Sequence, residues 1–156
     1  SANEAAARAK RSRKAGAVVF VQAGNNAFNR AVLGVRSVHV LCGIHAADRH
    51  AFDHVTAKIA ADNRVAVDIS LEPVVRLRGH ARQKALNLYL DILMLSRKFG
   101  FPLVLSTHAR SVLEMRPVRE MSALAALIGF DLEEAGLALA GPDIPGSSDN
   151  PLRVIP

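Results

Sequence analysis

Of 156 residues none is tryptophan, one is tyrosine and one is cysteine, and aromatics make up 4% of the chain. A core for this sequence has to be built from Ala, Val, Leu and Ile, which suits short parallel strands covered by helices. A lone cysteine excludes disulfide scaffolding within the chain and fits a reducing compartment. Cys42, set in an apolar run, reads as a small buried hydrophobe. No apolar stretch approaches the roughly 20 residues that a bilayer requires. The basic start is not followed by the apolar segment of a signal peptide, so a cytoplasmic protein is expected. Phosphate-cradling loops of the G-x-G-x-x-G or G-x-x-x-x-G-K-S/T kind are missing as well, which leaves a nucleotide cofactor without support.

Positive charge is abundant. Twenty Lys and Arg stand against fourteen Asp and Glu, for a formal charge of +6 and a pI near 10.2. Such a balance favours polyanionic partners without specifying a fold. Its placement is uneven. Arg8, Lys10, Arg11, Arg13 and Lys14 form one cluster and Arg76, Arg78, Arg82 and Lys84 a second, while the last 26 residues are net acidic.

Apolar periodicity divides the chain into a basic helix or arm over 1–17, an α/β domain over 18–140 and a Pro/Gly-rich tail over 141–156. Strands are expected at 18–21, 38–41, 65–71 and 103–105, and a short one at 152–155. Helices are expected at 26–33, between them at Phe52, Val55, Ile59 and Ala60 on one face, and at 81–99. A further helix starts at Pro117, with Met121, Leu124, Ala125 and Ile128 on one face, and ends at Gly129; Asp131 caps another through Ala140. Repeated strand–helix units predict a parallel sheet with right-handed crossovers. A closed eight-fold barrel needs about 250 residues. The fold class is therefore α/β, as an incomplete or open (β/α), TIM-barrel-like sheet of parallel strands flanked by helices.

Several side-chain groups could carry chemistry. His39, His45, His50 and His54 lie near Asp48 and Asp53, but no H-E-x-x-H pattern organises them, and surface or capping roles fit them better than a metal. Asp68 and Glu72 at a strand's end, with His108 after the next strand, make a weak hydrolase constellation. Alternation puts Asp68 and Ser70 on one side of their strand, and a carboxylate satisfied there by a hydroxyl or an arginine is the plainer reading.

The loop from Arg76 to Lys84 differs. It carries four cations and no acid, follows a strand and runs into a helix N-terminus, where backbone N–H groups attract anions. Arginine offers a planar head that matches phosphate oxygens, and Gly79 allows close approach. After the next strand come Arg110, Arg116 and Arg119, opposed by Glu114 and Glu120. With parallel adjacent strands both loops emerge on one rim and merge into one basic patch. Aromatics for base stacking are nearly absent there, so contact would be with backbone and shape.

The segments VVFVQ at 18–22, NRVAVDISLEPVVR at 63–76, SRKFGFPLVLS at 96–106 and LEMRPVRE at 113–120 resemble, in order and spacing, protein component 3 of archaeal ribonuclease P, the counterpart of the eukaryotic thirty-kilodalton subunit. The resemblance covers roughly residues 18 to 140. It implies an incomplete barrel of the polymerase and histidinol phosphatase type, without the metal centre and without catalysis by the chain itself. It also implies pairing with the small Pop-five-like ribonuclease P protein in a heterotetramer around the ribonuclease P RNA. That RNA, with magnesium, would cleave the 5′ leader from precursor tRNA, and the chain would bind no cofactor. Matching the family's basic surface are Arg76, Arg78, Arg82, Lys84, Arg97, Lys98, Arg116 and Arg119, to which the rim argument adds Arg110. Two other functions compete: a small metal-dependent phosphoesterase using His45, Asp48, His50 and Asp68, and an adaptor that binds protein alone through the apolar helix around Leu88 to Leu95.

Overall fold

The computed structural model describes residues 1–14, 17–48 and 50–142. The extended stretch expected at 152–155, and the tail from 143 onward, lie outside the described residues. Four strands, β1 (Phe20–Gln22), β2 (Val40–Cys42), β3 (Ala66–Ser70) and β4 (Leu103–Ser106), pair in parallel and in chain order. Each crossover moves the chain one place in the same direction, so right-handed connections put the helices on one face of the sheet. A doubly wound sheet would reverse its order at some point. This one does not, and the fold is the open, TIM-like (β/α) sheet that the sequence predicts.

Alternation assigns the two faces. Val21, Leu41, Val67, Ile69 and Leu105 join the main core, whereas Val40, Cys42, Ala66, Asp68 and Ser70 point to the opposite face. All five residues of β3 are buried, as expected for the interior of a parallel sheet. Cys42 is buried too, and burial, then the nearby Asp68, pushes its thiol above the ordinary value. Gly43 follows β2 at φ +70°, and a Cβ there would stand 1.8 Å from Gln22 Nε2, so the turn requires glycine.

The helix over Ala2–Lys14 (α1) lies against α2 (Asn26–Leu33) through an alanine stripe of Ala2, Ala5 and the buried Ala9. Asn25 caps α2 by accepting from Phe28 N at 2.9 Å. Asn29, fully buried, donates to Ala51 O at 2.8 Å and accepts from Gly24 N at 2.9 Å, which joins the turns that follow β1 and β2. In α3 (His54–Asp62) the buried residues are Thr56, Ala57 and Ala60. Val55, expected to face inward, is exposed, and Phe52 precedes the helix and packs edge-on against Phe101. Small residues let α3 approach α2 closely where larger ones would hold it off.

A short helix, α4 (Glu72–Arg76), occupies the stretch expected to be loop. Pro73 ends a strand by lacking a donor, but it equally suits a helix's first turn. From Gly79 to Phe99 runs α5, which buries Ala85, Tyr89, Ile92 and Leu93 and leaves Leu90 and Met94 exposed. Leu86, Leu88, Leu95 and Phe99 pack half-buried beside these residues. The remaining helices, α6 (Val118–Ile128) and α7 (Leu132–Ala140), begin and end where their caps predict, with Asp131 and Glu134 forming a capping box.

Asp53 links two of these parts. It accepts from Thr56 N at 2.9 Å and Thr56 Oγ1 at 2.8 Å, and it pairs with Arg30 of α2 at 2.7 Å. Burial alone would push its carboxyl up, but the bonds from Thr56 and Arg30 outweigh burial and hold it well below the usual carboxylate range. A depressed folded value adds stability that is complete above the unfolded value, about 3.9, and is lost as pH falls from there toward the folded value. Asp53→Asn keeps a capping oxygen and removes the charge. Urea midpoints measured between pH 6 and pH 2.5 should therefore fall more steeply for the wild type than for Asp53→Asn below about pH 4; parallel curves would show that Asp53 does not drive the acid transition.

Candidate nucleic-acid interface

Ser106 and His108 converge on Asp68. Asp68 and Val104 are register partners, so alternation brings Ser106, two residues on, to the same face. Its hydroxyl donates to Asp68 Oδ1 at 2.6 Å, and His108 Nε2 stands 2.6 Å from Oδ2. The Asp68 side chain is wholly buried. His108 sits at φ +47°, in the left-handed region uncommon for a side-chain-bearing residue. The buried carboxylate thus fixes the first turn of the loop after β4. Ser70, expected as a neighbour, instead accepts from Glu72 N at 3.3 Å.

Glu72 takes no part in this knot. Its Oε1 pairs with Arg76 at 3.0 Å and lies 3.7 Å from Arg110, so one carboxylate spans both basic loops. A cavity of about 210 Å³ lies between the loops, lined among others by Leu71, Glu72, Arg76, Thr107, Leu113 and Arg116. The hydrolase constellation therefore divides: Asp68 and His108 meet, while Glu72 serves arginines.

The remaining histidines are dispersed. His39 Nδ1 accepts from Val19 N at 2.9 Å, which makes it a strand-end residue. His45 stacks edge-on against Tyr89 with ring centroids 6.4 Å apart. Burial lowers the imidazole's pKa and raises that of the phenol, so both are neutral near pH 7, and among the described residues neither His45 Nδ1 nor Tyr89 Oη has a hydrogen-bond partner. Asp48, His50 and His54 are exposed. Among the described residues no three His, Cys, Asp or Glu side chains converge as a metal set, so the donor set of the phosphoesterase reading is not assembled and we derive no metal-dependent step.

The two basic loops do share a rim, because β3 and β4 are adjacent and parallel. From 72 to 84 and from 107 to 120 the chain carries seven Lys and Arg against the three carboxylates Glu72, Glu114 and Glu120. Their engagement differs. Arg78 donates to Val75 O at 3.2 Å and keeps an exposed side chain, as do Lys84, Arg110 and Arg119. Arg116 pairs loosely with Glu120 at 3.5 Å, and Arg110 takes a backbone tie to Glu114 at 2.8 Å. Arg82 lies three residues before the buried Ala85 and seven before Tyr89 on α5, and its Nε is buried without a partner among the described residues.

Arg97 and Lys98 stand apart at the far end of α5. Arg97 grips Glu134 with Nε and Nη2, each at 2.7 Å, and donates to Gly129 O at 2.9 Å. That fork ties α5 to the turn between α6 and α7 and holds Glu134 below the usual carboxylate range. Lys98 stands 5.4 Å from the centre of the Phe99 ring. The signal for Arg97's partner was present in the sequence as the Asp131–Glu134 cap, but its distance along the chain hid the pairing.

An open, parallel, TIM-like (β/α) sheet with arginine-bearing loops at the carboxyl ends of β3 and β4 defines the class of fold. The chain belongs to the family described as RNase P subunit p30, whose profile matches residues 1–142. Among curated relatives, ribonuclease P protein component 3 of Methanococcoides burtonii is 33% identical over 138 residues, covering 88% of this chain and 54% of the relative. The protein of the same description from Methanothermobacter thermautotrophicus is 37% identical over 124 residues, covering 79% and 51%. The chain thus spans about half the length of the curated relatives it matches. A chain in the cryo-EM structure of archaeal ribonuclease P with mature tRNA shares the fold, with a TM-score of 0.81 and 23% identity over 90% of this chain and 61% of that one.

The Asp68 knot has a measurable consequence. Asp68→Ala leaves Ser106 and His108 without their acceptor and should destabilise the chain by about 1–3 kcal/mol. Asp68→Asn, which keeps one acceptor oxygen, should cost less. Urea unfolding checks both; equal, negligible losses would mean that the loop after β4 is held by something else.

Proposed function

We propose that this chain is a protein subunit of ribonuclease P, which binds and supports the catalytic RNA while that RNA, with magnesium, removes the 5′ leader from precursor tRNA in the cytoplasm. Family membership across residues 1–142 carries the reading, and the shared arginine rim supports it. On this reading Arg78, Lys84, Arg110, Arg116 and Arg119 are the phosphate contacts, and Arg76 joins them by exchanging Glu72 for a phosphate. Arg97 acts mainly by holding α5 in place, Arg82 lies at the margin of the rim, and Lys98 adds charge at the far end of α5. Contacts of this kind position a protein on RNA without reading its bases.

The small Pop-five-like protein, in a heterotetramer, is the partner we assign to the exposed apolar run beside the rim. Val112, Leu113, Met115 and Val118 are 82%, 91%, 63% and 66% exposed. Adjacent apolar residues bordered by charge suit a protein contact. The buried Asp68, already engaged, is a structural group on this reading and not a catalytic one.

Reconstitution tests the whole reading: precursor-tRNA cleavage by ribonuclease P RNA and its other proteins should rise when this chain is added. An unchanged rate would sink it. For the rim, replacing Arg78, Arg110 and Arg119 together by Ala should weaken RNA binding in a sequence-independent way and make the plot of log affinity against log salt shallower by up to about 2.7, at roughly 0.9 per duplex phosphate contact. Weaker binding with an unchanged slope would instead assign these arginines to folding.

A further inference from the structure

The other cationic cluster, at residues 8–14, could have been an arm or a solvated face. It is a docked helix. The alanine stripe seats α1 on α2, and its carboxyl-terminal end places Lys10, Arg11, Arg13 and Lys14, together with Ser37, around a groove of about 370 Å³. Arg13 donates through its guanidinium to Arg36 O, which ties the helix end to the turn before β2. Arg36 itself is exposed in that turn.

A helix dipole favours cations in a last turn, which would account for one or two of them. The full set goes further. Lys10 precedes Arg13 and Lys14 by three and four residues, and Arg11 precedes Lys14 by three, spacings at which like charges on a helix repel. Nearer the start of the same helix the signs alternate, and Glu4 pairs with Arg8 at 2.8 Å. Among the described residues no carboxylate pairs with Lys10, Arg11, Arg13 or Lys14. The field reaches the sheet: the imidazole of His39 is lowered by burial first and by Arg13 second.

We propose that this groove is a second contact for RNA phosphates, at the amino-terminal end of the sheet and opposite the arginine rim. It rests on the reading of the chain as an RNA-binding subunit. Ser37 precedes β2 by three residues, whereas the rim follows β3 and β4. The five residues of β3, at roughly 3.3 Å each, set the two surfaces about 16 Å apart or more along the strands. The chain therefore bridges two stretches of RNA and does not cap one. A membrane surface fits poorly, since α1 carries alanine in place of the bulky apolar face of an interfacial helix, and that stripe is already packed. An acidic protein fits less well than RNA because the groove has no apolar anchor among its lining residues.

The test uses the whole chain and a blunt RNA duplex of random sequence, long enough for two helical turns. In the variant Lys10→Gln, Arg11→Gln, Lys14→Gln the helix formers are kept and Arg13 retains its tie to Arg36. The expected result is a thermal midpoint unchanged or raised by the relief of like-charge repulsion, weaker binding and a log–log salt slope shallower by about two to three, at roughly 0.9 per phosphate given up. Combined with the rim substitutions Arg78→Ala, Arg110→Ala and Arg119→Ala, the two slope losses should add. If the α1 variant binds as the wild type does while the rim variant loses RNA, this inference is overturned and the subunit reading stands. No RNA binding by any form, the wild type included, overturns both. Displacement of the duplex by polyglutamate at equal charge concentration would assign the groove to an acidic protein and overturn the inference as well.

Discussion

The buried carboxylate of Asp68 is the constraint around which the carboxyl end of the sheet is arranged. A charge-bearing group with no exposed side-chain surface has to find hydrogen-bond donors, and it finds them on the neighbouring strand and the loop beyond it. Ser106 and His108 are drawn in, His108 accepts a left-handed backbone to reach it, and the loop that carries Arg110, Arg116 and Arg119 takes its direction from that turn. Glu72, four residues further along the chain at the start of α4, is left to compensate Arg76 and Arg110. Local satisfaction of one buried acid thus determines how the basic side chains outside are presented.

The arginines do two kinds of work. Arg97, forked onto Glu134 and the Gly129 carbonyl, holds α5 against the last two helices, and Arg30 on Asp53 ties α2 to the cap of α3. These are directional bonds to fixed partners. Along the rim and at the end of α1 the cations instead face solvent, with few carboxylates near them, and their interaction with a polyanion would be through counterion release and not through fixed geometry. Net charge is silent on this division, because it counts both kinds alike.

The open sheet follows from connectivity. With strands in chain order and helices on one face, β1 remains an edge, where Phe20 and the preceding Val18 are 56% and 42% exposed, while α7 packs against β4. Exposed edges invite pairing. A chain about half the length of its curated relatives keeps the core of β2 and β3 buried on both faces nonetheless.

Short-range chemistry was legible in the sequence. The order of strands and helices, the cap residue Asp131, the glycine end at Gly129 and the burial of Cys42 all depend on neighbours within a few positions, so composition and period suffice to read them. Even there α4 was hidden, because Pro73 signals a strand's end and a helix's start with the same missing N–H. The carboxyl-end rim followed from parallel topology alone. Only the tertiary structure decided which cations remain outward: Arg97 meets an acid 37 residues away, Asp68 meets His108 40 residues away, and the run at 10–14 becomes a groove by meeting Ser37. Such pairings depend on how helices pack across the sheet, and no local period encodes that.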